Sequence, residues 1–386
     1  MKTSRRLLFV LLLFVPVLFA DKKDKKPALT KKDFFAFAGT YTAKTQSKGI
    51  YAFRYDATSG KLTAMGVAAE TPDPSFVAIH PSGKFLYAVN EGGKSSFVTS
   101  FALDTKTGKL TQLNQVPALG EDPCYIAFDK TGKYILIANY SSGTLAVFPI
   151  LADGRIGDKT ALNQDSGKLG PNKERQERPH AHWIETSADN RYALAADLGL
   201  DQILIFQFDA AKGALGPHIP SSAGLKPGSG PRHAIFSPNG KFLFVVSELT
   251  STATSFSYDV KKGDLKQINS VSTLPAEFTG RNDVAEVAVH PSGGFLYVSN
   301  RGLDNIAVFS IDPKKGTLAQ TGAIPTGGKE PRHFTFDPSG HFLFVENQFS
   351  DTIVAFHVDA STGQLTPTGE NVTVPSPVCL KFVPVQ

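Results

Sequence analysis

The 386-residue sequence is poor in sulfur and in tryptophan, with two cysteines, two methionines and one tryptophan. So few cysteines exclude a disulfide-rich scaffold and a zinc site built from paired Cys-x-x-Cys motifs. Cys124 and Cys379 lie near the start of predicted inner strands, in repeats that are not adjacent. A disulfide would be compatible with an exported protein, but we predict two buried free thiols.

The sequence after residue 33 also lacks an excess of either positive or negative charge. The formal net charge is +5, whereas the first 33 residues, with nine Lys or Arg and three Asp, carry +6. The body of the chain is therefore close to neutral. Because nucleic-acid binding needs a basic face on the folded domain, we predict no nucleic-acid partner.

Several signatures of catalysis are absent as well. The sequence has no Gly-x-Ser-x-Gly elbow, no His-Glu-x-x-His pair and no phosphate-binding glycine loop before a helix. These absences argue against three well-defined enzyme classes. We also find no convincing amphipathic helix, whereas glycine (34), proline (25) and phenylalanine (29) are plentiful. This composition is typical of a turn-rich all-β chain.

A short pattern recurs seven times: an aromatic residue, an Asp a few residues later, then a Gly and a hydrophobic residue. The Asp can cap a turn with its own side chain, and the Gly supplies the positive φ that a tight turn needs. Each copy therefore predicts the outer hairpin of one β-sheet blade, and seven copies at nearly constant spacing indicate a repeat fold. The copies begin at Phe53, Phe101, Phe148, Phe206, Phe256, Phe309 and Phe356.

A second repeat, a nearly continuous apolar hairpin, precedes the outer hairpins and predicts strands buried on both faces. Its second strands end in polar residues at positions 90, 139, 197, 248, 300 and 347. We predict an all-β, seven-bladed β-propeller over residues 34–386, with four strands in each blade. One blade is split between residues 34–69 and 378–383, so the ring closes by pairing N-terminal strands with a C-terminal strand.

The first 20 residues resemble a signal peptide, with Lys2, Arg5 and Arg6 ahead of an apolar run from Leu7 to Phe19. Residues 21–33 are rich in lysine, and we predict a solvated tether there. These features predict a periplasmic or secreted protein without stable membrane insertion after cleavage. An uncleaved membrane anchor remains an alternative, because Leu18 fits the usual cleavage site poorly.

The propeller topology gathers polar residues from different blades at one face. The start of strand one and the end of strand two of each blade lie together around the central channel. Three arginines at this mouth predict an anionic ligand, and Glu248 or a histidine could act as general base. The repeated asparagines Asn90, Asn139, Asn300 and Asn347 are better explained as structural. The long interval between Ile150 and Pro179 predicts either a lid over the ring or a passive surface loop.

Six segments together resemble the lactonase family of seven-bladed propellers. They are Phe37-Ala-Gly39-Thr-Tyr41, Arg178-Pro-His-Ala-His182, Gly230-Pro-Arg232-His233, Val245-Val-Ser-Glu248, Leu296-Tyr-Val-Ser-Asn300-Arg301-Gly302 and Glu346-Asn-Gln348. The resemblance implies four catalytic residues, which are His182, Arg232, Glu248 and Arg301. His180 is a rival for the histidine. Around the same mouth we predict substrate contacts from His180, His233, Arg332 and Gln348.

The resemblance implies hydrolysis of a sugar-acid lactone, such as 6-phosphogluconolactone to 6-phosphogluconate, by a monomer that takes a small anionic sugar lactone. We expect no cofactor and no metal, because crowded arginines oppose Ca²⁺ binding. The predicted export contrasts with the cytoplasmic sugar metabolism that 6-phosphogluconolactonases serve. Two alternatives stay open: a non-enzymatic exported propeller that binds a ligand or protein, as Leu296 to Asn300 suggests, and a metal-dependent gluconolactonase.

Overall fold

The computed structural model describes residues 33–385 and arranges them in seven antiparallel sheets, each one blade of a ring. The innermost strand of each blade contacts the innermost strands of its two neighbours, all the way round. The predicted seven-bladed, all-β propeller is therefore confirmed. The predicted signal peptide, residues 1–20, and residues 21–32 of the predicted tether lie outside the described residues. Among residues 33–385 no helix has the length and apolarity needed to cross a bilayer.

Blades are numbered here from the ring closure. Blade 1 contains β1 (Asp33–Thr40), β2 (Gly49–Asp56), β3 (Lys61–Glu70) and the last strand, β29 (Pro377–Pro384). Blade 2 contains β4 (Phe76–Ile79), β5 (Phe85–Asn90), β6 (Phe97–Leu103) and β7 (Leu110–Pro117). Blade 3 contains β8 (Pro123–Phe128), β9 (Tyr134–Asn139), β10 (Thr144–Pro149) and β11 (Ala161–Gln164).

The outer strand of blade 4 is interrupted, and the other blades are regular. Blade 4 contains β12 (Ala181–Thr186), β13 (Tyr192–Asp197), β14 (Gln202–Asp209), β15 (Ala214–Gly216) and β16 (Ser222–Gly224). Blade 5 contains β17 (Pro231–Phe236), β18 (Phe242–Ser247), β19 (Thr252–Tyr258) and β20 (Leu265–Ser272). Blade 6 contains β21 (Asp283–Val289), β22 (Phe295–Arg301), β23 (Asn305–Ile311) and β24 (Leu318–Pro325). Blade 7 contains β25 (Pro331–Phe336), β26 (Phe342–Asn347), β27 (Thr352–Val358) and β28 (Leu365–Thr373). Two 3₁₀ turns lie at Gly93–Ser95 in blade 2 and at Gln348–Ser350 in blade 7.

Blade 1 closes the ring in the predicted way. Strand β29 is its innermost strand and pairs antiparallel with β1, in a register that sets Phe34 opposite Pro384 and Ala38 opposite Leu380. The two ends of the propeller chain are thus held in one sheet, and both edges of β1 are hydrogen-bonded. This arrangement removes the exposed edges that an open array would present.

The glycine of the sevenfold pattern has a second role besides its positive φ. In blade 1, a Cβ on Gly60 would come within 2.4 Å of the ring of Phe342 in blade 7. In blade 3, a Cβ on Gly154 would come within 2.2 Å of Phe85 in blade 2. The same contact between a turn glycine and the aromatic residue of the preceding blade recurs at Gly108, Gly213, Gly263, Gly316 and Gly363. The repeat therefore specifies how neighbouring blades pack as well as how each outer hairpin turns.

The asparagines that end the second strands hold the links between blades. Asn90 Nδ2 donates to the carbonyl of Pro72, and Asn300 Nδ2 donates to that of Thr273. Asn139 and Asn347 make equivalent bonds to linker carbonyls, as a structural role requires. In blade 5 this position belongs to Ser247, not Glu248, because Ser247 pairs with Thr252 as Asn300 pairs with Asn305. Placing Glu248 in the asparagine column was wrong by one residue.

Both cysteines are free and buried, as predicted. Cys124 lies on β8 of blade 3 and Cys379 lies on β29 of blade 1, with blade 2 between them. Burial raises the pKa of both thiols, so they are protonated at neutral pH.

Two buried carboxyl groups face each other behind the channel mouth. Asp197 Oδ1 accepts the backbone N–H groups of His180 and Leu200, while Asp165 Oδ1 accepts from Asn163. Within the described part of the chain, no donor from any other residue reaches the second oxygen of either carboxyl group. Burial, followed by the interaction with Asp197, raises the pKa of Asp165, and burial also raises the pKa of Asp197. The pair therefore retains a proton at neutral pH.

Replacing Asp165 by asparagine should stabilise the protein at alkaline pH. An unfolded carboxyl loses its proton near pH 4, whereas the folded pair keeps one, so the stability of the parent falls as the pH rises above that value. An amide needs no proton, and we expect D165N to gain about 1–3 kcal/mol at pH 8 and little at pH 4.5. Thermal unfolding at both pH values measures this difference. The exposed Asp158→Asn variant is the control, and an equal effect of D165N at both pH values would contradict the shared proton.

Candidate active site

A cavity of about 310 Å³ opens at the channel mouth, on the face where strand one starts and strand two ends. Its size is that of a site for a small molecule. Charged side chains dominate its lining, with five arginines and four carboxylates. They are Arg175, Arg232, Arg281, Arg301, Arg332, Glu91, Asp122, Glu248 and Asp283.

Glu248 lies at the centre of the arginine cluster. Its Oε2 is 3.0 Å from Arg232 Nε and 3.3 Å from Arg301 Nη2, and its Oε1 is 2.5 Å from Arg175 Nη2. Burial alone would raise the pKa of this carboxyl, but Arg301, Arg232 and Arg175 outweigh burial and hold it at about 2. Glu248 is therefore a carboxylate across the physiological range and a weak base in this state of the site.

Arg232 and Arg301 are buried at the bottom of the cavity, and each is also tied to the backbone of β21. Arg232 Nη1 donates to the Ala285 carbonyl, and Arg301 Nη2 donates to the Val284 carbonyl. The Nε–H group of each finds no hydrogen-bond acceptor among residues 33–385, since the contact between Arg232 Nε and Glu248 lacks hydrogen-bond geometry. Both side chains also line the cavity, so their guanidinium groups can interact with an oxygen of a bound ligand.

His182 faces the same cavity from β12. Its Nδ1 lies 3.5 Å from the Cys124 thiol, and no other residue of the described range hydrogen-bonds its ring. Burial, followed by the nearby Arg232, lowers the pKa of His182 well below its usual value. The imidazole is therefore neutral at pH 7 and can accept a proton.

Arg332 completes the group of predicted residues at the cavity. Its Nη2 donates to the Tyr41 hydroxyl at 2.7 Å, and its guanidinium lies over the Tyr41 ring. The Tyr41 hydroxyl in turn donates to Glu91. Five of the eight predicted site residues are thus brought together, namely His182, Arg232, Glu248, Arg301 and Arg332.

The other three predicted residues do not line this cavity. His180 stacks on Tyr140, with ring centroids 4.4 Å apart, and its Nε2 pairs with Glu177. His233 lies in the layer beneath the cavity. Gln348 lines a separate surface groove with Tyr41. Of the two histidines proposed for one role, only His182 lines the cavity.

A buried polar network of histidines and glutamates lies in the layer beneath the cavity. His233 Nδ1 is 3.1 Å from Glu286, which also lies 3.5 Å from His333 Nε2, and His333 Nδ1 is 2.5 Å from Glu346. The Lys381 ammonium caps this network and lies over the Phe76 ring. These residues link blades 1, 5, 6 and 7 across the channel, so the network braces the cavity from below.

Arg175 was missed by the sequence reasoning, as was the pair of Arg281 and Asp283. Arg175 comes from the long interval between Ile150 and Pro179, for which a lid or a passive loop was expected. Arg281 and Asp283 precede and begin β21, whose start lacks the Pro-Arg-His signature that marks β17 and β25. The unusual length of the interval around Arg175 was the only feature of the sequence that could have pointed to a site residue there.

Within residues 33–385 no group of three or more His, Cys, Asp and Glu side chains is placed to hold a metal ion. Two acids of the cavity, Glu248 and Asp283, form ion pairs with arginines. Glu91 accepts a hydrogen bond from the Tyr41 hydroxyl, and Asp122 accepts one from the Ser141 hydroxyl.

Known proteins resemble this chain over almost all of its described residues. The family model "Lactonase, 7-bladed beta-propeller" matches residues 35–382. A 6-phosphogluconolactonase of Bacillus subtilis (strain 168) is 35% identical over 351 residues, which are 91% of this chain and 98% of that protein. A protein named 6-phosphogluconolactonase from Formosa agariphila is 33% identical over 303 residues, or 77% of this chain and 85% of that protein. The structure of a periplasmic gluconolactonase from Pseudomonas aeruginosa superposes with a TM-score of 0.87 at 33% identity, covering 92% of this chain and 100% of that one.

Proposed function

The chain belongs to the seven-bladed β-propeller lactonase family and is a lactone hydrolase, and we propose that it opens the lactone ring of a sugar acid, as 6-phosphogluconolactonases do. The observation that carries this proposal is the meeting of a neutral histidine with two buried arginines in one cavity. His182 supplies an acceptor for a proton, and Arg232 and Arg301 supply cationic hydrogen-bond donors in the lining of the same cavity. Hydrolysis of a cyclic ester needs both functions.

The lactone carbonyl is expected to point at the arginines. When water adds to the carbonyl carbon, the carbonyl oxygen becomes an oxyanion, and preorganised donors stabilise that charge more than they stabilise the neutral ester. Arg232 and Arg301 are held by backbone carbonyls and by Glu248, so they need little rearrangement to meet it. Glu248 thus acts as a positioning residue for both guanidinium groups.

His182 transfers the proton. Its free imidazole nitrogen takes a proton from the attacking water as the oxygen–carbon bond forms. The tetrahedral intermediate then breaks the bond between the carbonyl carbon and the ring oxygen, and the imidazolium returns the proton to that oxygen. The products are one hydroxyl group and one carboxylic acid, which ionises in solution. A low pKa makes the imidazolium a strong acid, which favours the second transfer.

Activity is expected to survive chelation. The positive charge that a metal ion would provide comes from Arg232 and Arg301, so EDTA should change kcat/KM by less than about twofold. The measurement is hydrolysis of 6-phosphogluconolactone and of gluconolactone, by acid release, before and after EDTA treatment. Loss of activity on chelation, with recovery on adding Ca²⁺, would instead support a metal-dependent gluconolactonase.

We also propose that this activity lies outside the cytoplasm. The support is the basic start and the apolar run from Leu7 to Phe19, together with the periplasmic gluconolactonase among the similar structures. Because an exported enzyme can meet lactones without phosphate, both forms of the substrate belong in every assay.

A further inference from the structure

One arginine reaches the cavity from outside the blade framework. Arg175 lies on the loop between β11 and β12, and its side chain keeps 36% of its surface exposed at the mouth. Its partners are all side chains: Glu248 at 2.5 Å, Asp283 at 3.8 Å and the Tyr140 hydroxyl at 3.4 Å. Arg232 and Arg301, in contrast, are buried and bound to backbone carbonyls.

The loop that carries Arg175 is firmly seated. The next residue, Gln176, is buried, and its Nε2 donates to the Leu198 carbonyl and to Asp201 Oδ1, both at 2.8 Å. Asp201 also accepts the backbone N–H groups of Gly228 and Gly230, which lead directly into β17 and Arg232. One carboxylate therefore fixes both the loop of Arg175 and the approach to Arg232. The guanidinium is held at the mouth by its neighbours in the chain.

Arg175 can leave its partners without leaving a carboxylate unpaired. Glu248 would retain Arg232 and Arg301. Asp283 would retain Arg281, whose Nη2 lies 2.6 Å from its Oδ2. Arg175 itself is 36% exposed, so water competes for its side of these ion pairs. A guanidinium, in turn, binds a phosphate through two parallel hydrogen bonds. An incoming phosphate can therefore exchange for Glu248 and Asp283 at this arginine.

We propose that Arg175 selects the substrate of the proposed lactonase by binding the phosphate group of a phosphorylated sugar lactone. The inference rests on the proposed function, since it presumes that the carbonyl lies at Arg232 and His182. In such a lactone the ring carbon beside the ring oxygen bears an exocyclic methylene group, and the oxygen of that group carries the phosphate. The phosphate and the carbonyl therefore lie on the two sides of the ring oxygen, and Arg175, Arg232 and His182 line one cavity that can receive both. Release of Arg175 from Glu248 also removes one of the three cations that suppress the basicity of that carboxylate.

The test is the ratio of kcat/KM for 6-phosphogluconolactone to kcat/KM for gluconolactone. The unmodified protein should favour the phosphorylated lactone, and Arg175→Ala should lower the ratio roughly 10- to 100-fold, the factor for losing one charge-assisted phosphate contact. Arg175→Lys, which keeps the charge but not the paired donors, should fall between the two. Lys173→Ala removes an equal charge from an exposed position in the same loop and should leave the ratio unchanged.

Binding of the products gives an independent readout. Calorimetric titration should show that Arg175→Ala weakens 6-phosphogluconate far more than gluconate. The role of Arg175 would be overturned if Arg175→Ala left the ratio unchanged or lowered kcat/KM equally for both lactones. It would also be overturned if the parent protein hydrolysed both lactones equally well. The lactonase assignment would stand in each of these cases. A parent protein that hydrolyses neither lactone would overturn the proposed function itself.

Discussion

Replacing His182 by glutamine is expected to lower kcat for lactone hydrolysis by roughly 10²- to 10⁴-fold, the usual contribution of a positioned acid–base group. Glutamine has a similar length and can hydrogen-bond, but it cannot take a proton from water or return one to the ring oxygen. KM should change little, because the arginines that bind the substrate stay in place. Stopped assays of acid release, with the spontaneous rate subtracted, measure both constants.

The pH profile separates a catalytic role of His182 from a structural one. Burial and Arg232 lower the pKa of His182 well below its usual value, so the imidazole stays a competent acceptor as the medium becomes acidic. An ordinary histidine is protonated below about pH 6.5, but we expect kcat/KM to persist below that pH and to fall only where His182 itself is protonated. His341→Gln, at an exposed turn, is the matched control. If H182Q kept its parent's rate, the proton transfer would have to be assigned to another group.

Removing residues 376–386 is expected to abolish soluble folding. This truncation deletes β29, whose pairing with β1 closes the ring. Val378, Leu380 and Val383 of that strand are at most 2% exposed. Burial of such side chains contributes about 1.5–3 kcal/mol each, so their loss approaches the whole stability of a typical domain, about 5–15 kcal/mol.

The soluble fraction after expression, and the unfolding temperature of any soluble material, measure the effect of this truncation. Removal of residues 385–386 alone leaves β29 whole and is the control, which should fold. A truncated chain that stayed soluble and unfolded at the parent's temperature would show that ring closure does not hold the propeller together.

The fold was largely predictable because the repeated residues determine both the turns within each blade and the packing between blades. The turn residues specify the outer hairpins, and glycines such as Gly60 also allow the aromatic ring of the neighbouring blade to approach. The exact end of the second strand in blade 5 was harder to predict. Ser247 occupies the position that asparagine holds in other blades, and the polar residue beside it, Glu248, was mistaken for the strand end. A one-residue offset of this kind is invisible until hydrogen-bond pairing is known.

The site was predictable where it follows the blade columns and unpredictable elsewhere. The alternation along a strand could not separate His180 from His182, because residues two apart are predicted on the same face. In the structure His180 precedes β12, and a register shift lies between Ala181 and Trp183. Arg175 lies on a loop between blades, where no periodicity relates position in the chain to position in space. Its distance from Glu248 depends on the buried anchor Gln176, whose contacts are tertiary.

The most direct test of the central claim is the rate at which the purified protein releases acid from 6-phosphogluconolactone and gluconolactone, compared with the same protein carrying Arg232→Gln. If the arginine cavity is the lactonase site, the parent should show saturable hydrolysis of at least one lactone. The variant should then lose about 10²- to 10³-fold in kcat, the effect of removing one oxyanion donor. Hydrolysis by the parent at the spontaneous rate, or full activity in the variant, would contradict the account.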